Sequence, residues 1–151
     1  MTTCNTSAVF LREHGGSEVL RIEATEIGEL EPGKIRLKQT AIGVNFSEIH
    51  TRKSPGGTHS NPLPLVLGRE VAGVVEAIGP DVEGFEIGQR VAYVFRRQQG
   101  AYTECRLISA QELVTIPDGI ANETAAATMV KGMTACYLVR CTFEVGPGHR
   151  A

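Results

Sequence analysis

The sequence lacks the features that mark membrane-spanning and nucleic-acid-binding proteins. It has no tryptophan, and aromatic residues make up only 5% of it. No apolar run approaches the roughly 18 residues that a transmembrane helix needs. The formal net charge is −2, so no excess of positive charge attracts nucleic acid or an acidic membrane. These absences leave a globular domain of ordinary composition that is not bound to a membrane.

The cysteine pattern excludes the common metal and redox motifs. The four cysteines are Cys4, Cys105, Cys136 and Cys141, and none of them forms a Cys-x-x-Cys pair. This spacing predicts free thiols. Residues 1–7 are polar and lack the basic and apolar regions of a signal peptide, so a cytoplasmic protein is expected.

Several catalytic signatures are also missing. The chain contains no Gly-x-Ser-x-Gly, no Gly-x-x-x-x-Gly-Lys and no His-Glu-x-x-His. The run Gly146-Pro147-Gly148 begins like the dinucleotide fingerprint Gly-x-Gly-x-x-Gly, but no third glycine follows it. No complete nucleotide-binding turn is therefore predicted within these residues.

Turn-forming residues are abundant, with 17 glycines and 7 prolines, and short apolar segments lie between them. Residues 34–38 alternate between polar and apolar, which predicts a half-buried strand with Ile35 and Leu37 pointing inward. The other predicted strands are residues 8–11, 19–22, 71–78, 90–95, 100–108 and 113–116. A short helix is predicted around residues 45–52 and a loop over 54–64. Strands at such short intervals are typical of a β-barrel or sandwich, so a mainly β fold with short helices is expected.

The pattern becomes helical after residue 121. Asn122 is predicted to cap a helix. A stripe at helical spacing follows it and is interpreted as core packing. The stripe consists of Met129, Met133, Cys136, Tyr137 and Arg140. Gly132 predicts either a break into two helices or a close approach of another group to the backbone.

Three segments carry a family resemblance. They are AIGVNFSEIHTR at 41–52, PLVLGREVAGVVE at 64–76 and KGMTA at 131–135, with shorter matches at 14–20 and 100–104. In order and spacing they resemble the quinone oxidoreductase family, the zeta-crystallin-like branch of the medium-chain dehydrogenases and reductases. The resemblance implies a GroES-like, partly open β-barrel for residues 1–121. It implies that residues 122–151 form a helical connector to a Rossmann domain, which this chain does not include.

The resemblance also implies a function and a cofactor. Members of this branch reduce quinones or other conjugated carbonyls with NADPH and without zinc, and full-length relatives are expected to be homodimers. Zinc-dependent relatives carry a Cys where this chain has Asn45 and a His where it has Arg69. Because a permanently cationic guanidinium cannot ligate zinc, no metal site is expected.

The family run that lines the nicotinamide and substrate cleft matches residues 45–50. The catalytic candidates are Asn45, Glu48 and His50. The Asn45 amide can donate to a reacting carbonyl, and Glu48 keeps a family carboxylate, one methylene longer. His50 replaces the usual tyrosine and is either a proton donor or a surface residue of the short helix. The candidate cofactor-binding residues are Phe46, Ser47, Glu48, Ile49, His50, Lys131 and Thr134.

Lys131 matches a family lysine that contacts the nucleotide, and its charge suits an anionic cofactor. The alternative is a solvated lysine on a helix. For the chain as a whole, the alternative to a reductase is a non-enzymatic barrel fragment that acts as a binding or interaction module. RNA binding, which some relatives show, is disfavoured because the chain lacks a basic patch with interleaved aromatic residues.

Overall fold

The computed structural model describes residues 4–54, 62–95, 99–143 and 145–149. The strands of these ranges are β1 (Cys4–Leu11), β2 (Leu20–Ile27), β3 (Lys34–Gly43), β4 (Leu65–Val66), β5 (Glu70–Ile78), β6 (Arg90–Val94), β7 (Cys105–Ser109) and β8 (Val114–Thr115). The α-helices are α1 (Phe46–Lys53) and α2 (Asn122–Tyr137), and α2 continues into a π-helical turn at Leu138–Thr142. Two short 3-10 turns occupy Ser17–Val19 and Ala110–Glu112. Within the described ranges, no helix combines the length and the apolar character needed to cross a lipid bilayer.

The strands form two antiparallel sheets, with the orders β2-β1-β4 and β7-β3-β5-β6-β8. The segment 101–104 joins them. The Val9 N–H of β1 donates to the Tyr102 carbonyl oxygen at 2.8 Å, and the Gln39 N–H of β3 donates to the Glu104 carbonyl oxygen at 2.8 Å. The mainly β fold with short helices that the sequence predicts is confirmed.

The core lies on the inner face of the larger sheet. Ile35 and Leu37 are both fully buried, as the alternation of residues 34–38 predicts. They pack in one cluster with Val71, Val91 and Tyr93, which are also fully buried. Each apolar side chain of this size contributes roughly 1.5–3 kcal/mol through burial. This core holds the ends of β3 and β5 beside each other.

Several predicted strand bounds need correction: β1 already begins at Cys4, β3 continues to Gly43, and the short β4 was not predicted. β7 begins only at Cys105, because residues 101–104 bond to both sheets and do not follow one neighbour. β2 starts at Leu20 and runs to Ile27, since it pairs with β1 along its full length. β8 contains only Val114 and Thr115. Residues 55–61 of the predicted loop lie outside the described ranges.

Helix α2 differs from the prediction at its start and at Gly132. The N-cap is Ala121, and Asn122 is already helical. Because the Asn122 side chain donates to Thr40 Oγ1 at 2.7 Å, it ties the helix to β3 and does not cap it. The helix is unbroken at Gly132, where an added methyl group would meet only the Thr128 side chain, at 3.6 Å. The predicted break at Gly132 is therefore wrong, and no other group of the described residues approaches its backbone closely; a close approach by a bound nucleotide stays a prediction.

The core stripe predicted on α2 is also wrong for most of its members. Met129 packs partly against the barrel, but Met133 is 48% exposed and Tyr137 62%. Cys136 and Arg140 are exposed, as is every residue from 131 to 143. Only the first half of α2 lies on the sheet, where the small side chains of Ala125 and Ala126 are buried. Nothing in the described chain covers the apolar residues in the second half of α2.

Candidate active site

Asn45 and Glu48 build the start of α1. The Asn45 N–H donates to Glu48 Oε2 at 2.6 Å, as in a capping box. The Ser47 hydroxyl donates to Glu48 Oε1 at 3.2 Å. The Glu48 side chain is buried, and burial raises the pKa of its carboxyl group, although the hydrogen bond from the Asn45 N–H opposes that rise. The carboxylate therefore stabilises the helix start from inside the protein.

A second buried carboxylate lies beside the Asn45 side chain. Glu70, the first residue of β5, is 0% exposed and accepts three hydrogen bonds. Its Oε1 accepts from Asn45 Nδ2 and from Lys131 Nζ, both at 2.9 Å, and its Oε2 accepts from the Val130 N–H at 2.6 Å. Lys131 Nζ also donates to Asn45 Oδ1 at 2.9 Å. We call these three side chains, Asn45, Glu70 and Lys131, the Glu70 cluster.

The Glu70 cluster opens onto a groove between the end of β3 and the first half of α2. The groove has a volume of about 510 Å³ and is lined by Thr40, Ala41, Ile42, Gly43, Val44, Glu123, Ala126, Ala127 and Lys131. The Lys131 side chain is 56% exposed, whereas its partner Glu70 is fully enclosed. An ammonium group has three N–H donors, and the cluster uses two of them. One donor of Lys131 therefore remains for a ligand.

The other predicted site residues differ in their exposure and in their hydrogen-bond partners. Phe46 is 69% exposed, and its ring meets the exposed His50 ring edge-on, with centroids 4.8 Å apart. Ser47 and Ile49 are half-buried. The hydroxyl of Thr134 donates to the Val130 carbonyl oxygen of its own helix at 2.7 Å. The structure thus joins Asn45 to Lys131 directly, while Thr134 bonds only within α2.

Glu70 is the site residue that the sequence reasoning missed. A carboxylate side chain at the start of an apolar strand is usually expected to be exposed to solvent. The available signal was its position in Gly68-Arg69-Glu70, between a glycine with φ of +95° and the longest apolar run of the chain. Tyr102 was missed as a neighbour of the site. Burial raises the pKa of Tyr102 to about 12, and the nearby carboxylates of Glu48 and Glu70 act in the same direction.

The residues at the expected zinc positions do not fit a zinc shell. The Asn45 amide is already engaged by Glu70 and Lys131. The Arg69 Nε is buried and has no hydrogen-bond partner in the described chain, and a cationic guanidinium repels a metal cation. No group of three or more His, Cys, Asp or Glu side chains suited to a metal ion occurs among the described residues.

The fit to a nicotinamide nucleotide is partial. The unused donor of Lys131 suits a phosphate, carboxamide or carbonyl oxygen, and the exposed side chains of Val44 and Phe46 suit a flat ring. These groups have the chemistry expected of one wall of a ligand site.

Comparison with known proteins identifies the domain family. Residues 31–139 match the family model of the alcohol dehydrogenase GroES-like domain. The chain is 43% identical over 136 residues to a quinone oxidoreductase of Pseudomonas aeruginosa, covering 89% of this chain and 41% of the relative. The chain thus spans about two fifths of the length of that relative.

Solved structures of quinone oxidoreductases have the same fold as this chain over part of their length. A quinone oxidoreductase of Pseudomonas syringae superimposes with a TM-score of 0.85 at 39% identity, over 95% of this chain and 43% of that one. The Escherichia coli quinone oxidoreductase complexed with NADPH gives 0.78 at 36% identity, over 93% and 42%. The resemblance read from residues 41–52, 64–76 and 131–135 is confirmed. This chain belongs to the alcohol dehydrogenase GroES-like domain family.

Proposed function

We propose that this chain forms the substrate-side wall of a zinc-independent, NADPH-dependent reductase of quinones or other conjugated carbonyls. The observation that carries the proposal is the Glu70 cluster, which holds the Lys131 ammonium at the edge of a groove with one N–H unused. The relatives named quinone oxidoreductase, one of them complexed with NADPH, supply the reaction class.

The chemistry of such a reduction requires a donor near the substrate oxygen. Nicotinamide supplies the hydride when it is bound. As hydride reaches a conjugated carbonyl, negative charge develops on the carbonyl oxygen, and a fixed N–H stabilises that charge most effectively where water is excluded. Lys131 can supply this N–H to the substrate or to the cofactor beside it. The exposed ring of Phe46 provides an apolar surface for a planar ligand.

The remaining candidates from the N-terminal end of α1 take different roles in this proposal. Asn45 acts through Lys131, because its side-chain oxygen accepts from the ammonium. Glu48 acts by holding the start of α1. His50 is exposed beside Phe46 and can donate a proton to the reduced oxygen. Zinc independence is proposed because Asn45 and Arg69 replace the sulfur and imidazole ligands.

The test is oxidation of NADPH in the presence of 1,4-naphthoquinone by the polypeptide at its full natural length. The wild type should turn over, and Lys131→Met should lose roughly 10- to 100-fold in kcat/KM, the range expected for one charge-assisted hydrogen bond. Lys38→Met is the matched control, because Lys38 is exposed on β3 away from the Glu70 cluster. Elemental analysis of the same preparation should find far less than one zinc per chain.

Two results would contradict the proposal. Equal kcat/KM for Lys131→Met and Lys38→Met would remove Lys131 from the reaction. Absence of any NADPH oxidation by the folded wild type, with naphthoquinone and with a simple enone, would favour the binding-module alternative.

A further inference from the structure

The chemistry described above gives Glu70 no role of its own, yet Glu70 is the most completely enclosed charged group of the site. Its carboxylate is 0% exposed and accepts from one side-chain amide, one ammonium and one backbone N–H. A buried carboxylate without hydrogen-bond partners is strongly unfavourable, and these three donors supply Glu70 with partners inside the protein. The three donors come from the residue before α1 and from α2.

The neighbouring strand makes room for this carboxylate. Gly43 on β3 lies opposite Glu70 in the strand register. A Cβ atom added at Gly43 would lie 2.3 Å from Glu70 Cγ, so the Glu70 side chain would have to move. The space over Gly43 is therefore filled by Glu70, and the local structure is built around a carboxylate at this position.

Glu70 fixes the orientation of the Asn45 amide. Because Asn45 Nδ2 donates to Glu70 Oε1, the amide oxygen of Asn45 must face the Lys131 ammonium, from which it accepts. The same Glu70 oxygen accepts from Lys131 Nζ. Two acceptors thus hold the ammonium at 2.9 Å each, and the direction of its third N–H is set by them.

We propose that Glu70 is a positioning residue of the reductase, which orients Asn45 and Lys131 so that the unused N–H of Lys131 points at the ligand oxygen. This inference rests on the proposed function for its catalytic meaning. The Val130 N–H bond extends the effect to the backbone, because it anchors the helical turn that carries Lys131 to the barrel. Glu70 itself touches neither substrate nor cofactor in this proposal.

The test compares Glu70→Gln with Glu76→Gln. Both residues lie on β5, but Glu76 pairs with Arg36 at the surface, away from the Glu70 cluster. Glutamine has nearly the size of glutamate but has no charge, and it presents an NH2 group to one of the three donors. In the full-length protein Glu70→Gln should lower kcat roughly 10- to 100-fold. The KM for quinone should change far less, and Glu76→Gln should retain the wild-type kcat.

Glu70→Asp is the conservative variant. It keeps the charge with a shorter reach and should recover part of the lost kcat. If Glu70→Gln does not fold, Glu70→Asp carries the test alone, and its kcat should lie below that of Glu76→Gln at equal folded fraction. A purely structural role would reduce activity only in proportion to the folded fraction, and that result would overturn the proposal.

A readout independent of turnover separates this proposal from the proposed function. In side-chain amide NMR spectra, the Asn45 Nδ2 protons should exchange slowly with water in the wild type and in Glu76→Gln, and at least tenfold faster in Glu70→Gln or Glu70→Asp. If the wild type lacks reductase activity but shows this pattern, the orienting role stands and the reductase assignment fails. If Asn45 is unaffected by both Glu70 variants, Glu70 does not orient it.

Discussion

Side chains of the same type are buried in the barrel and exposed in the second half of α2 and the turn that follows it. Leu37 on β3 is fully buried, whereas Leu138 at the end of α2 is 50% exposed. Phe95 is 4% exposed, and Phe143 is 62% exposed. Sequence hydrophobicity alone cannot tell these regions apart. The barrel is completed by its own strands, while the apolar face at the end of α2 has no cover in the described chain.

The Glu70 cluster lies at the boundary between these two regions. It connects β5, which belongs to the barrel core, to Val130 and Lys131, where the fully exposed stretch of α2 begins. The boundary is therefore held by buried charge and hydrogen bonds, while the barrel is held by apolar packing. This difference predicts that substitutions in the two regions have unequal effects.

The largest difference is expected between Leu37→Ala and Leu138→Ala, which remove the same atoms. Leu37→Ala should lower the free energy of unfolding by about 2–5 kcal/mol, because it leaves a cavity in the barrel core. Leu138→Ala should change it by less than about 0.5 kcal/mol. Urea unfolding followed by circular dichroism measures both. Similar losses in the two variants would mean that Leu138 is covered in solution.

The cysteines provide the second comparison. Burial raises the pKa of Cys105 on β7 to about 11, and the carboxylate of Glu76 adds to the rise. Since the thiolate is the reactive form, Cys105 should react with iodoacetamide about 100-fold more slowly than an ordinary thiol. Cys136 and Cys141 are exposed on the α2 side. Timed alkylation with peptide mass spectrometry gives the three rates, and equal rates would show that the barrel opens readily.

Self-association tests the uncovered face directly. Apolar patches of this kind promote contacts between molecules, so the 151-residue chain should associate as its concentration rises. Tyr137→Lys combined with Phe143→Lys should weaken association by roughly tenfold or more, since each aromatic side chain contributes on the order of 1.5–3 kcal/mol when buried. Light scattering over a concentration series measures this. A wild type that stays monomeric throughout would contradict the interpretation of this face.

The smallest effect is expected from Glu48→Gln, through the pH dependence of stability. Burial raises the pKa of Glu48 in the folded state above its unfolded value, so the folded protein binds the extra proton more tightly. The wild type should therefore lose stability relative to Glu48→Gln as pH rises from below the unfolded pKa through the raised folded pKa. At higher pH the difference should stay constant. Urea titrations at several pH values check this, and the opposite trend would mean that the hydrogen bond from the Asn45 N–H outweighs burial.

The sequence predicted the barrel better than the site, for physical reasons. Alternation along β3 identifies Ile35 and Leu37 because a sheet with one buried face imposes a period of two. The apolar stripe on α2 could not show whether another surface covers it. Glu70 could not be found by composition, because its burial depends on donors from residues 45, 130 and 131 that only folding brings together. The matched segments identified Asn45 and Lys131 as candidates, but they did not predict the hydrogen bond between the two side chains.

The central claim is that this chain supplies the substrate-side wall and holds NADPH only weakly by itself. One charged hydrogen bond from Lys131 contributes on the order of 1.5–3 kcal/mol, whereas micromolar affinity needs about 8 kcal/mol. The most direct measurement is a nicotinamide fluorescence titration of the 151-residue chain beside the full-length protein. The titration of the 151-residue chain should not saturate at NADPH concentrations below about millimolar, whereas the full-length protein should bind NADPH with a Kd that is roughly micromolar. Saturable micromolar binding by the 151-residue chain, or none by either protein, would contradict it.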